Sequence, residues 1–163
     1  MNQGIHGIDL LQYVMGPVKS VFGYARTLAR KIEVEDTAAA VLEFQNGALG
    51  MIQGTTSIYP GSPRRLEVNG DKGTVVLEED SILSWNVQGQ QNTGPISFEQ
   101  KTSRTASNPA DLGLEGHIRQ ITDMADAIWN DRSPMVDQYE GRKPIQIITA
   151  IYESSRTGRM VFL

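Results

Sequence analysis

The stretch Thr37-Ala38-Ala39-Ala40-Val41-Leu42-Glu43-Phe44, then Gln45-Asn46-Gly47, then Ala48-Leu49-Gly50-Met51-Ile52-Gln53-Gly54-Thr55-Thr56-Ser57, decides how this chain folds. Two apolar runs flank an Asn-Gly pair, whose tolerance of positive φ suits it to tight hairpin connections. The reading is a β-hairpin. Downstream, Arg64 to Val68, Thr74 to Glu78 and Ser81 to Val87 read as shorter strands, separated only by Asn69 to Gly73 and by Glu79-Asp80. A parallel crossover needs a dozen or more residues, so these strands are expected to run as an antiparallel meander. A parallel nucleotide-binding sheet is therefore excluded for residues 36–87. Upstream, Val18 to Leu28 carries Val18, Phe22 and Tyr24 at even positions and reads as one long strand, followed by a charged connector from Arg30 to Asp36.

Outside this strand-rich centre the periodicity changes. Ile8, Leu11 and Met15 recur at helical spacing and predict a helix over Ile5 to Met15, stopped by Gly16-Pro17. Near the other end, Ile118, Ile121, Ala125 and Ile128 predict an amphipathic helix over Gly113 to Asp131. Ile145, Ile148 and Tyr152, widened by Ile147 and Ile151, predict a second over Glu140 to Thr157, with Gly158 as its stop. Gln88 to Leu112 is rich in Gln, Asn, Ser, Thr and Gly, with one small strand at Ile96 to Glu99, and is expected to be the least ordered part. The fold class is α+β: an open, mainly antiparallel sheet of about six strands with helices on one face. In Thr37 to Phe44, Ala39 and Val41 point opposite to Ala38, Ala40, Leu42 and Phe44, so both faces are apolar and both should be covered. Three helices cover one face. The other is expected to pack on a second copy, making a homo-oligomer.

Composition narrows the function classes. The chain has 163 residues, Lys+Arg 15 against Asp+Glu 19, and no cysteine. Disulfides, thiolate catalysis, iron–sulfur clusters and Cys-type zinc sites are thereby excluded. Signs are interspersed and the net charge is −4, which argues against a nucleic-acid surface. No apolar run approaches the ~18 residues of a bilayer span, and Met1-Asn2-Gln3-Gly4 carries no basic or apolar leader, so no membrane partner and a cytoplasmic location are expected.

Few residues could carry chemistry. Asn2, His6, Asp9 and Tyr13 share a stripe if the first helix reaches residue 2, opposite Ile8, Leu11 and Met15. An imidazole and a carboxylate one turn apart can act as a proton-transfer pair, the carboxylate orienting the ring and stabilising imidazolium. The same spacing also suits an ordinary surface hydrogen bond or cap, and spacing alone leaves both readings open. Metal binding is disfavoured: His6 with Asp9 offers two ligands, and Glu115 and His117 point apart on a helix. His117 reads as a first-turn surface residue. Asp71-Lys72-Gly73 is turn chemistry, and neither G-x-G-x-x-G nor G-x-x-x-x-G-K-[ST] occurs, so no nucleotide site is expected within the chain. Tyr59-Pro60-Gly61-Ser62-Pro63-Arg64-Arg65 reads as a solvated turn or as a rigid cationic loop able to contact an oxygen-rich ligand.

Three motifs, in order, resemble a known family. Asn2-Gln3-Gly4-Ile5-His6-Gly7-Ile8-Asp9-Leu10-Leu11 with Met15-Gly16 is similar to the G-x-H-x-x-D segment that opens the second domain of the glucose–fructose oxidoreductase, inositol dehydrogenase and rhizopine catabolism (Gfo/Idh/MocA) family of NAD(P)-dependent oxidoreductases. Leu66 to Val75 resembles that domain's inter-strand turn, and Pro134 to Leu163 its closing helix. The resemblance implies a dihydrodipicolinate-reductase-like C-terminal domain spanning 1–163, which shapes a sugar, polyol or related hydroxy/keto substrate pocket and mediates oligomerisation. It implies NAD or NADP in the full-length enzyme and no cofactor on this chain alone, because the Rossmann half and the family's catalytic lysine have no counterpart here. By itself the chain is expected to be inactive. His6 matches the catalytic histidine and Asp9 the acidic position after it. Asn2 stands where polyol-oxidising members often carry Asp; an amide can bind a substrate hydroxyl but cannot serve as a base. The alternative reading is a non-catalytic binding or assembly module with the same fold.

Overall fold

The computed structural model describes residues 4–79, 81–97 and 114–163. Its elements run α1 (Gly4–Met15), β1 (Val18–Arg26), β2 (Thr37–Phe44), β3 (Leu49–Thr55), β4 (Arg65–Gly70), β5 (Gly73–Glu78), β6 (Ser81–Val87), β7 (Ile96–Ser97), α2 (Leu114–Trp129), α3 (Gln138–Thr157) and β8 (Val161–Phe162). The class is α+β and every strand pairing is antiparallel, as the short connections require. The strands divide into two four-stranded sheets, ordered β3-β2-β1-β8 and β4-β5-β6-β7, rather than one sheet of about six. Two short strands, β7 and β8, complete the sets. The chain correspondingly separates into two compact units, one reaching to Tyr59 and joined by Leu114–Leu163, the other beginning at Pro60.

In the first unit the Asn-Gly hairpin forms as expected. Phe44 N–H donates to Ala48 O at 2.9 Å, Gly47 N–H to Phe44 O at 3.0 Å, and the Asn46 carboxamide oxygen accepts from Ala48 N–H at 3.0 Å. The resulting register sets Leu42 opposite Gly50 and Ala40 opposite Ile52. Against one face of this sheet α1 and α3 bury Ile8, Val18, Val21, Ala40, Leu42, Phe44, Ile147, Ala150 and Ile151 as one cluster. Burying such aliphatic side chains contributes roughly 1.5–3 kcal/mol each, which makes this cluster the main support of the unit.

Helix α3 enters differently from its bulk apolar pattern. Asp137 caps it, accepting from the N–H groups of Tyr139 and Glu140 at 2.9 Å each, so it begins at Gln138. It ends at Gly158, whose φ of 67° places it in the left-handed region that glycine adopts without steric cost. Of the stripe expected at Ile145, Ile148 and Tyr152 and widened by Ile147 and Ile151, the helix buries Ile147 and Ile151, together with Pro144, Ala150 and Ser154, and Ile148 packs partly buried against the same core, while Ile145 and Tyr152 are exposed. Close approach explains the correction. Ser154 Oγ accepts from Gly23 N–H at 3.0 Å, which brings this face of α3 down onto the backbone of β1. Ala150 and Ser154 therefore lie between the larger Ile147 and Ile151 on the buried face, and Ile145 is left exposed. In α2 the expected stripe of Ile118, Ile121, Ala125 and Ile128 is likewise exposed, while Ala127 is buried.

The second unit is a meander. The turn after β5 carries Glu79 at φ 48°, and Glu79 holds the start of β4 through its carboxylate, which accepts from Arg64 N–H at 2.8 Å. Part of the segment expected to be least ordered, Gln88 to Leu112, is built onto this sheet: Thr93 bridges to Trp85, Gln90 accepts from the Trp85 indole at 2.8 Å, and Ile96–Ser97 form β7. Residues 98–112 of that segment lie outside the described residues. Among the described residues no helix is long and apolar enough to cross a membrane.

Candidate functional site

Helix α1 presents the residues that the sequence singles out. Its inner face buries Ile8 and Gln12, with Leu11 and Met15 packed beside them. The opposite face is therefore fixed: His6, Asp9 and Tyr13, at spacings of three and four, are all exposed. The helix stops at Gly16, whose N–H donates to Gln12 O at 2.9 Å. Asn46 Nδ2 donates to Met15 O at 3.1 Å and Gln45 N–H to Pro17 O at 2.9 Å, which ties the C-terminal end of α1 to the β2–β3 turn. Asn2 lies outside the described residues.

His6 and Asp9 share a face one turn apart, yet no hydrogen bond or ion pair joins them among the described residues. The imidazole side chain is exposed rather than enclosed by aliphatic packing. His117 is exposed in the first turn of α2, remote in sequence from this face. No group of three or more metal-ligating side chains forms among the described residues.

The structure adds a feature that sequence inspection passes over. A groove of about 540 Å³ is lined by Arg26, Glu33, Glu35, Tyr152, Ser155 and Arg156 with the backbone around them. Ser155 Oγ accepts from Ala25 N–H at 2.9 Å and from Arg26 Nη1 at 2.6 Å, and the Arg26 guanidinium sits 5.3 Å from the centre of the Tyr24 ring. The Tyr152 hydroxyl donates to Glu35 Oε1 at 2.9 Å; burial, reinforced by that carboxylate, pushes the phenol up to about 12, so it remains a donor at neutral pH. Glu35 and Tyr152 are 117 residues apart, and no local pattern could have paired them.

Beside the groove, the connector expected only to be charged is tightly organised. Asp36 is buried, and its two carboxylate oxygens accept from the N–H groups of Leu28, Ala29 and Arg30 at 2.8–2.9 Å and from Thr37 Oγ1 at 3.0 Å. The Leu28 amide, followed by those of Ala29 and Arg30 and the Thr37 hydroxyl, holds this carboxyl well below the usual carboxylate range. A turn signal at Asp was available in the sequence; the number of donors converging on it was not.

Comparison with known proteins follows the same lines as the geometry. A family model described as the oxidoreductase family, C-terminal alpha/beta domain (GFO_IDH_MocA_C), matches residues 1–163. A myo-inositol 2-dehydrogenase of Thermotoga maritima is 31% identical over 171 residues, covering 100% of this chain and 48% of the relative. A D-apiose dehydrogenase of Rhizobium rhizogenes is 24% identical, covering 97% and 46%. Among solved structures, the WlbA dehydrogenase of Bordetella pertussis in complex with NADH and UDP-GlcNAcA is 32% identical with a TM-score of 0.77, covering 100% of this chain and 47% of that one. The chain spans about half the length of the curated relatives it matches.

Proposed function

This chain belongs to the Gfo/Idh/MocA oxidoreductase family, as its C-terminal alpha/beta domain, and from that premise we propose that it is the substrate-binding and oligomerisation domain of an NAD(P)-dependent oxidoreductase acting on a sugar, polyol or related hydroxy/keto compound. The observation that carries the reading is His6, held on the solvent face of α1 by burial of Ile8 and Gln12 on the other. The sequence carries no glycine-rich phosphate turn, and we assign the cofactor to polypeptide beyond it. A nicotinamide supplies the hydride side of such a reaction. What this chain contributes is the proton side.

In the oxidative direction the substrate hydroxyl donates its proton to an imidazole nitrogen of His6, and in the reverse direction imidazolium returns a proton to the carbonyl oxygen. Asp9, one turn further along the exposed face, stabilises the charged ring through space and orients it once substrate closes the site. Asn2, matching the family's substrate-facing position, binds a substrate hydroxyl and takes no part in proton transfer. The apolar outer face of the first sheet packs on a second copy.

The test is His6→Ala in the full-length polypeptide, assayed on a polyol or sugar that it oxidises. Turnover is expected to fall by roughly 10²–10⁴-fold, the usual contribution of a positioned acid–base group. Wild-type turnover in that variant would remove the proton role from His6.

A further inference from the structure

Five apolar side chains stand in the open around Asp36. Leu28, Ile32 and Val34 come from the β1–β2 connection, Ile58 and Tyr59 from just beyond β3; Leu28 is 71% exposed, Val34 62% and Tyr59 98%. Their backbones are bound together. Thr27 Oγ1 donates to Val34 O at 2.7 Å, Arg30 donates through Nε and Nη2 to Thr56 O at 3.2 and 2.6 Å, and Thr56 N–H donates to Asp36 O at 2.9 Å. With the amides of residues 28–30 on the Asp36 carboxylate, the connection is braced at both of its ends. A loop so ordered, yet turning its apolar side chains to water, leaves a free-energy cost that a contact elsewhere would remove.

The place of this rim in the fold says what makes the contact. The C-terminal end of α1 is tied to the β2–β3 turn, and the helix, 12 residues or about 18 Å long, lays Met15, Leu11 and Ile8 in turn on the core that the sheet covers. The rim is built at the sheet end opposite that turn, where β1 ends, β2 begins and β3 ends. The His6 end of α1 is therefore the end directed toward the rim. A half that carries the cofactor has to reach a substrate held at His6, and the relatives contain more than a further chain-length of polypeptide beyond the part matched here. The polar groove of Arg26, Glu35, Tyr152 and Arg156 borders the rim through Val34 and supplies a hydrogen-bonding margin to an apolar centre, the usual anatomy of a protein contact.

We propose that the rim formed by Leu28, Ile32, Val34, Ile58 and Tyr59 is the surface on which the cofactor-binding half of the polypeptide docks. The proposal rests on reading His6 as the proton-transferring group. It differs from the self-association assigned to the outer sheet face, since an isologous contact uses one patch twice and that patch lies on the sheet's flat side.

The experiment uses the full-length polypeptide with Leu28→Asp and Val34→Asp combined, and separately Tyr59→Asp; all three side chains are exposed, so the unit itself should fold. Thermal unfolding is followed with and without NADH. In the wild type, NADH is expected to raise the melting temperature of both halves together. In the variants, the transition of this domain should no longer move with NADH, while kcat/KM falls roughly tenfold or more through misplacement of the substrate and NADH affinity stays within about threefold because the cofactor half is untouched. A single transition that still shifts with NADH, with unchanged turnover, would overturn the docking assignment. So would intact coupling accompanied by loss of an oligomer in sedimentation, since the rim would then face a second copy. His6→Ala separates the two claims: retained turnover in that variant sinks the proton role, whereas coupling is read from unfolding alone.

Discussion

The two faces of the first sheet begin from nearly the same material and end in different environments. On β2, Leu42 is 1% exposed and its neighbour Val41 50%. The inner face carries Gly23, Ala38, Ala40 and Gly50 among its larger aliphatics, and α3 lies close enough for Ser154 to take the Gly23 amide. The outer face carries Phe22, Tyr24, Val41, Leu49 and Met51, with Tyr24, Val41, Leu49 and Met51 exposed, and among them polar groups: Glu43, which accepts from Lys19 Nζ and Ser20 Oγ, Gln53, and the Thr37–Thr55 hydroxyl pair. Small residues admit a helix from the same chain. Large ones leave a bulky apolar surface, so apolarity alone indicates that a face favours cover without saying where the cover comes from.

The strongest way to break the comparison is to attack the inner face. Phe44 is fully buried and packs under Gly50, whose added Cβ would lie 2.9 Å from the ring. Phe44→Ala is expected to cost about 3–5 kcal/mol, a large part of a typical domain's 5–15 kcal/mol. Chemical denaturation of the chain measures it. A cost no larger than that of an outer-face truncation would show that the two faces are not distinct in the way described.

The same contrast explains what was legible beforehand. The hairpin at Asn46-Gly47, the antiparallel meander and α1 could be read because each is specified by neighbours in sequence: turn chemistry, short connections, a helical repeat ended by Gly16. The division into two sheets could not, since strand-to-strand pairing between distant segments leaves no local mark, and β8 pairs with β1 across more than a hundred residues. In α3 bulk apolarity points correctly to Ile147 and Ile151 but also to Ile145 and Tyr152, which are exposed, because Ala150 and Ser154 share the buried face and Ser154 meets Gly23 there. At the candidate site, His6 and Asp9 were placed correctly on one exposed helix face. The Glu35–Tyr152 pair and the Asp36 hub were not foreseen, because their meaning depends on donors that only the folded chain brings together.

A second test concerns the margin between the faces, where Asp36 pins the β1–β2 connection. Its carboxyl is held below the ordinary value, so its contribution to stability is fully present above the unfolded pKa of about 3.9 and is lost as pH falls through the folded value beneath it. The melting temperature of the wild type should therefore decline below about pH 4, and Asp36→Asn should lower it at neutral pH and flatten that acid limb. The effect is expected to be smaller than that of Phe44→Ala, because the apolar cluster remains intact. Hydrogen exchange at the amides of Leu28, Ala29 and Arg30 should quicken in the variant. An unchanged exchange rate there would mean that the connection is held by other bonds, such as those of Thr27 and Arg30.

The smallest effect on stability, and the sharpest on assembly, belongs to the outer face. Val41 and Met51 lie directly opposite one another in the β2–β3 register, with side chains in the open. Val41→Asp with Met51→Asp should change the unfolding free energy of an unassociated chain by only about 0.5 kcal/mol, as surface substitutions do. If the face packs on a second copy, two carboxylates per protomer would have to be buried without partners, at a cost of several kcal/mol each that a contact of ordinary size cannot absorb. Sedimentation velocity is then expected to show wild-type oligomer and variant monomer at the same concentration. Equal sedimentation of the two would leave the bulky face without a partner of its own kind, and the contrast with the helix-covered face would reduce to side-chain size alone.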